Sequence, residues 1–219
     1  MKSIELKTED GVKIAADFYP AKEKLAPAVV LLHMMPSTKE SWKNFAKKLN
    51  KSGFQCLAID LRGHGESEKG PEGFREFSDE EHQKSIYDVR AAVDFFISKG
   101  LGLEKIALAG ASIGANLSLW FQAENPEIKA SILLSPGLSY RGIDTEPFAK
   151  KVNPDQSVYL AAGGENDEYS TETVRKLFNL LKSENKQLKV FPSAGHGTSI
   201  FLEYPEFMDE LAQWLKESY

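Results

Sequence analysis

Polar and apolar residues alternate at the start of the chain, and the alternation then stops. Ser3–Lys7 and Val12–Phe18 both follow a period of two, with the turn-forming TEDG between them, which predicts an antiparallel β-hairpin. From Pro27 onward the apolar residues come in short unbroken runs instead: AVVLLH (28–33), FQCLAID (54–60), KIALAG (105–110), KASILLS (129–135), SVYLAAG (157–163) and LKVFPS (188–193). Runs of this kind mark strands covered on both faces. Helical stretches separate them. The clearest opens at Ser78, where S-D-E-E sets Glu81 for a capping box and Ile86, Val89, Val93, Phe96 and Ile97 share one face. Another begins at about Pro205, with Phe207, Leu211, Trp214 and Leu215 at helical spacing. Strand–helix alternation over most of the chain predicts an α/β fold: a mostly parallel sheet with helices on both faces. With no repeat, low-complexity segment or linker, residues 1–219 are expected to form a single domain.

Composition narrows the class. The 219 residues carry a formal net charge of −5 and no dense Lys/Arg block, which argues against nucleic acid or an anionic membrane as partner. The stretch MKSIELKTEDGVKI reads as a strand with no signal-peptide core, and no apolar run approaches the ~18 residues of a membrane span. Cys56 is the only cysteine, so no intrachain disulfide can form. It lies within an apolar run and reads as a small buried hydrophobe. No His/Cys/Asp cluster has metal-ligand spacing, and neither G-x-G-x-x-G nor GxxxxGK[ST] occurs, so neither a metal nor a cofactor is expected. A cytoplasmic enzyme or binding protein fits these bounds.

The candidate chemistry starts at LAGASIGANL (108–117), where Ser112 lies at G-x-S-x-G spacing between a predicted strand and a predicted helix. A sharp strand-to-helix turn needs small neighbours two residues away on each side, here Gly110 and Gly114, and the helix start offers free N–H groups to developing negative charge. A close helix contact is the competing reading of the same glycines. A serine nucleophile needs a base. Of the four histidines, His82 is expected on the solvated side of its helix, His64 sits in RGHG, and His33 ends a strand. His196 follows the last predicted strand, on a glycine-flanked loop of the kind that builds α/β sites. An acid is offered by AAGGENDEYS, with Glu165, Asp167 and Glu168 as candidates and Asp167 preferred as the group that orients the imidazole.

Taken together, AVVLLHMMPS, AIDLRGHGES, LAGASIGA, GGENDEYS and SAGHG resemble the α/β-hydrolase-fold serine hydrolases. More narrowly, the chain is similar to small carboxylesterases without a cap, and to dienelactone-hydrolase-like relatives with serine as nucleophile. The resemblance implies an eight-stranded, mostly parallel sheet led by an antiparallel hairpin, with no large cap domain. It implies Ser112 as nucleophile, Asp167 as acid and His196 as base, in the fold's chain order. The oxyanion donors would be the backbone N–H groups of Ile113 and Met35, the latter from the loop after the third strand. Met34 stands where relatives usually carry glycine. Either that loop is open to a side chain, or the second donor shifts by one residue. Asp60, Arg62 and His64, in DxRGHGxS, are expected to shape a loop. Serine at the elbow, rather than aspartate, sets the chain apart from relatives that form alkyl-enzyme esters, such as epoxide hydrolases and dehalogenases.

Only about twenty residues (136–155) separate the sixth and seventh apolar runs, too few for a helical cap. An open site is therefore expected, bordered by Met34, Leu138 and Tyr140, with Phe74 and Phe77 as a partial roof. The function expected is a serine carboxylesterase acting on small to medium acyl esters. Thioester or amide hydrolysis, and low-turnover ligand binding on the same fold, stay open as alternatives, as does the oligomeric state.

Overall fold

The structure, a computed structural model, describes residues 1–219. The two alternating segments form strands β1 (Lys2–Lys7) and β2 (Lys13–Tyr19), paired antiparallel. The unbroken runs form β3 (Ala28–Leu32), β4 (Gln55–Ile59), β5 (Ile106–Ala111) and β6 (Ala130–Leu134). A small hairpin, β7 (Ser139–Tyr140) and β8 (Ile143–Asp144), precedes β9 (Ser157–Ala162) and β10 (Lys186–Val190). The main sheet has eight strands in the order β1-β2-β4-β3-β5-β6-β9-β10, parallel from β4 to β10. Between and after the strands lie α1 (Lys43–Lys51), α2 (Asp79–Gln83), α3 (Ile86–Ser98), α4 (Ile113–Glu124), α5 (Thr145–Lys151), α6 (Glu168–Leu180), α7 (Ile200–Glu203) and α8 (Phe207–Glu217).

Successive strand residues point to opposite faces, which explains why the runs are apolar throughout. From β3, Val29 and Leu31 enter one core with Trp42, Phe45, Phe207 and Trp214, beneath α1 and α8. Val30 and Leu32 enter the other with Val89, Val93, Phe96 and Leu117, beneath α3 and α4. A third cluster fills the space under α5 and α6. Cys56, fully buried in β4, belongs to the first core, and burial pushes its thiol pKa up. No helix is long and apolar enough to cross a membrane.

Two segments depart from the sequence expectation. The capping box at Ser78 forms, but the helix it starts ends at Gln83, and a second begins at Ile86. The break leaves His82 buried, edge-on to Phe77 at 5.5 Å, instead of solvated. Burial, and then the nearby Arg141 charge, push its pKa down to about 4. The last strand starts earlier than its apolar residues do. Lys186 belongs to it through pairing with Val158 of β9, and its ammonium binds the carbonyls of Phe178 and Leu181 at the end of α6, a contact that periodicity does not register.

Between β6 and β9 there is no cap domain, only the β7–β8 hairpin and α5. Every loop that carries a candidate group therefore leaves the carboxyl edge of the parallel strands uncovered by a second domain.

Candidate active site

Ser112 occupies the single position between β5 and α4, with φ 52° and ψ −118°. Few residues other than glycine adopt positive φ, and strain of this kind persists only where the surroundings impose it. The surroundings here are backbone atoms. A Cβ on Gly110 would lie 2.0 Å from the Gly114 carbonyl oxygen, and one on Gly114 would lie 2.2 Å from the Leu32 carbonyl oxygen. The turn closes only because both positions lack side chains. Ser112 is the N-cap residue of α4, yet its hydroxyl makes no capping bond and remains free for chemistry.

The acid and base come together from two other strand ends. The turn after β9 is joined to the loop after β10 by Ala194 N–H donating to Gly163 O at 2.7 Å. Across this junction His196 Nδ1–H donates to Asp167 Oδ1 at 2.8 Å. An ionised carboxylate only accepts, so Nδ1 carries a proton toward Asp167. Asp167 is buried, whereas Glu165 and Glu168 are exposed, which selects among the three acids. Burial alone would raise the Asp167 pKa. The hydrogen bond from His196, with the neighbouring Ser135 and Ser170 hydroxyls and the His196 ring, outweighs it and holds the carboxyl below its ordinary value. The His196 loop also packs on the Ser112 turn: a Cβ on Gly197 would meet Met34 Sδ at 2.7 Å and the Ala111 Cβ at 3.2 Å.

The loop after β3 is held by side chains. His33 is fully buried, its Nε2 accepts Leu61 N–H at 3.0 Å, and its Nδ1–H donates to Met34 O at 2.9 Å. This pairing fixes the tautomer, and burial with the neighbouring His64 keeps the ring neutral by lowering its pKa. The Met34 carbonyl also accepts Ser37 N–H at 2.8 Å. Met35 N–H bonds no backbone carbonyl, and neither does Ile113 N–H at the start of α4. Met34 has no positive φ, so glycine is not required there. The Met34 side chain packs toward the α1–α8 core and Met35 toward the α3–α4 core.

DxRGHGxS forms the adjoining wall. Asp60 accepts from Lys39 N and Nζ at 2.7 Å each and from Glu66 N at 3.0 Å. Arg62 bridges Asp10 and Asp88, while His64 stacks on Phe74 at 4.0 Å and meets His33 edge-on at 4.8 Å. Phe74 is thus buried against this wall, and Phe77 is half-buried beside His82. Leu138 N–H donates to the Tyr169 hydroxyl at 3.1 Å, which pins the β6–β7 loop beside Asp167. Tyr140 packs instead against the α3–α4 core. Ser112 and His196 are half-buried, and Asp167 is buried.

Sequence reasoning missed Ser135 and Tyr169. Ser135 follows β6 and accepts Gly197 N–H at 2.8 Å, and the SPG that contains it has no feature that distinguishes it from an ordinary turn.

A parallel-sheet α/β domain with a strained serine turn, a buried carboxylate–histidine pair and two free N–H groups describes one class of protein. The chain belongs to the alpha/beta hydrolase fold family, whose profile matches residues 27–157. A soluble epoxide hydrolase of Corynebacterium sp. (strain C12) is 28% identical over 156 residues, covering 69% of this chain and 49% of that protein. The chain thus spans about half the length of the curated relatives it matches. Among solved structures, an esterase of Pyrococcus furiosus superposes with TM-score 0.82 at 21% identity, over 99% of this chain and 90% of that one. Est1E of Butyrivibrio proteoclasticus, solved with ferulic acid bound, superposes with TM-score 0.81 at 20% identity, over 98% of both chains.

Proposed function

We propose that the chain is a serine carboxylesterase that cleaves small to medium acyl esters through an acyl-enzyme on Ser112. The observation that carries this reading is the 2.8 Å bond from His196 to buried Asp167, on a loop packed against the strained Ser112 turn. His196 Nε2 takes the Ser112 proton as the oxygen adds to the ester carbonyl, and Asp167 stabilises the imidazolium that forms. The Met35 and Ile113 N–H groups hold the tetrahedral oxyanion. Collapse of the intermediate expels the alcohol, which takes its proton from His196. Water then attacks the acyl-serine, activated by the same imidazole, and the acid is released.

The Corynebacterium relative is named for epoxide hydrolysis, and Ser112 argues against that reaction here. A serine oxygen that opened an epoxide would form an ether, which water does not cleave under these conditions. With a carbonyl substrate the product is an ester, and the cycle closes.

The missing cap favours short acyl groups, since nothing encloses a long chain over the carboxyl edge. A series of p-nitrophenyl esters from two to sixteen carbons tests this, run beside thioester and amide panels, with the Ser112→Ala variant as control. Activity concentrated at the short end and absent from the variant is the expected outcome. A preference for the long end, for thioesters or for amides would replace the substrate assignment.

A further inference from the structure

Ser135 is fully buried directly after β6 and, like Ser112, has a positive φ, 50°. Strain at a buried non-glycine residue points to a side chain that is needed there. Its amide is anchored, donating to Ala161 O at 2.7 Å, and its carbonyl accepts the Ser170 hydroxyl at 3.4 Å. The hydroxyl oxygen accepts Gly197 N–H at 2.8 Å, which leaves its own hydrogen free to donate. Asp167 is the N-cap residue of α6, the helix whose first turn carries Ser170. Ser135 therefore holds the residue that follows the base through its hydroxyl, and the helix that follows the acid through its carbonyl.

We propose that Ser135 is a positioning residue that fastens the His196 loop to the Asp167 turn and sets the alignment of base and acid. The proposal rests on the esterase reading above. It also accounts for the residue type. Glycine would relax the backbone but leave Gly197 N–H without this partner. Alanine would keep the strain and lose the same bond. Threonine would add a β-branch where positive φ tolerates it least.

The test compares Ser135→Ala and Ser135→Gly with the wild type. Fold is checked by circular dichroism, turnover by p-nitrophenyl acetate, and the Gly197 amide by hydrogen exchange. In both variants kcat should fall about 10- to 100-fold with KM changed less than about threefold, as expected for misalignment of groups that bind no substrate. The Gly197 amide should exchange faster. Wild-type kcat in folded Ser135→Ala would overturn the proposal. So would full activity in Ser135→Gly, which would place the effect in backbone strain alone. If alanine prevents folding, the glycine variant decides. Reaction of the wild type with a fluorophosphonate tests the esterase reading separately. Gly197 exchange tests the tie without any turnover, and unchanged exchange in both variants would also overturn it.

Discussion

The turn after β5 and the turn after β3 lie side by side, joined by the pairing of Leu32 with Gly110, yet they are built by opposite means. Around Ser112 the shape comes from what is missing. Gly110 and Gly114 bring three backbone segments within distances that any Cβ would violate. Around Met34 and Met35 the shape comes from side chains that are distant in sequence. His33 spans from Leu61 N–H to Met34 O, His64 rests against His33, and Phe74 stacks on His64. The contrast shows how one site can take its strain from rigid sterics and one proposed oxyanion donor, Met35 N–H, from a hydrogen-bonded scaffold that can be tuned.

The largest effect should come from filling the steric turn. Gly114→Ala places a methyl group 2.2 Å from the Leu32 carbonyl oxygen, and backbone on both sides leaves little room to yield. Urea melts should show a loss of about 3 kcal/mol or more, with ester turnover falling with it. A near-wild-type Gly114→Ala would mean that the turn is not held by close packing.

The scaffolded turn should respond more gradually. His33→Leu removes both ring bonds, releases the Met34 carbonyl and should lower kcat about 100-fold with little change in KM, the size of losing one oxyanion donor. His33→Asn keeps a donor for Met34 O and should recover part of that loss. Equal activity in the two variants would deny the scaffold its role.

Acid provides a third contrast, because histidines build only one of the two sides. The His82 pKa is pushed down to about 4, so between about 6.5 and 4 the unfolded chain takes up a proton that the folded chain refuses. Stability from this group is therefore complete above about pH 6.5 and is lost as pH falls toward 4. The groups around it are Arg141, His64, Asp79 and Glu81. Relative to the wild type, His82→Leu should lose about 1 kcal/mol less, roughly 2–4 °C in Tm, between pH 7 and pH 4.5. Parallel melting curves would exclude His82 as a source of acid sensitivity.

The smallest effect belongs to Met34→Gly. Because Met34 has no positive φ, glycine offers no conformational relief and costs about 0.5–1 kcal/mol through the unfolded chain. Activity should stay within about threefold. A large gain would mean that the loop is strained after all.

The same contrast explains what could be read from the sequence. The strands were legible because their burial on two faces is written in consecutive residues, and the Ser112 turn because its cause lies within five positions. The sequence already prefers Asp167 among the three acids of its turn. The choice depends on burial, which the partner loop supplies. His82 was misplaced because its helix stops one turn after its cap, and a helical wheel assumes continuity. The roles of His33 and Ser135 stayed hidden because they are long-range hydrogen bonds, His33 to Leu61 and Ser135 to Gly197, with no local pattern.

The central claim is that Ser112 is a nucleophile activated by the Asp167–His196 pair. The most direct measurement is intact-protein mass spectrometry after treatment with a fluorophosphonate, with the modified residue located by peptide mapping. One adduct on Ser112 is expected in the wild type, none in Ser112→Ala, and a much slower one in His196→Ala. Folded wild-type protein that stays unmodified, or an adduct that persists in Ser112→Ala, would contradict it.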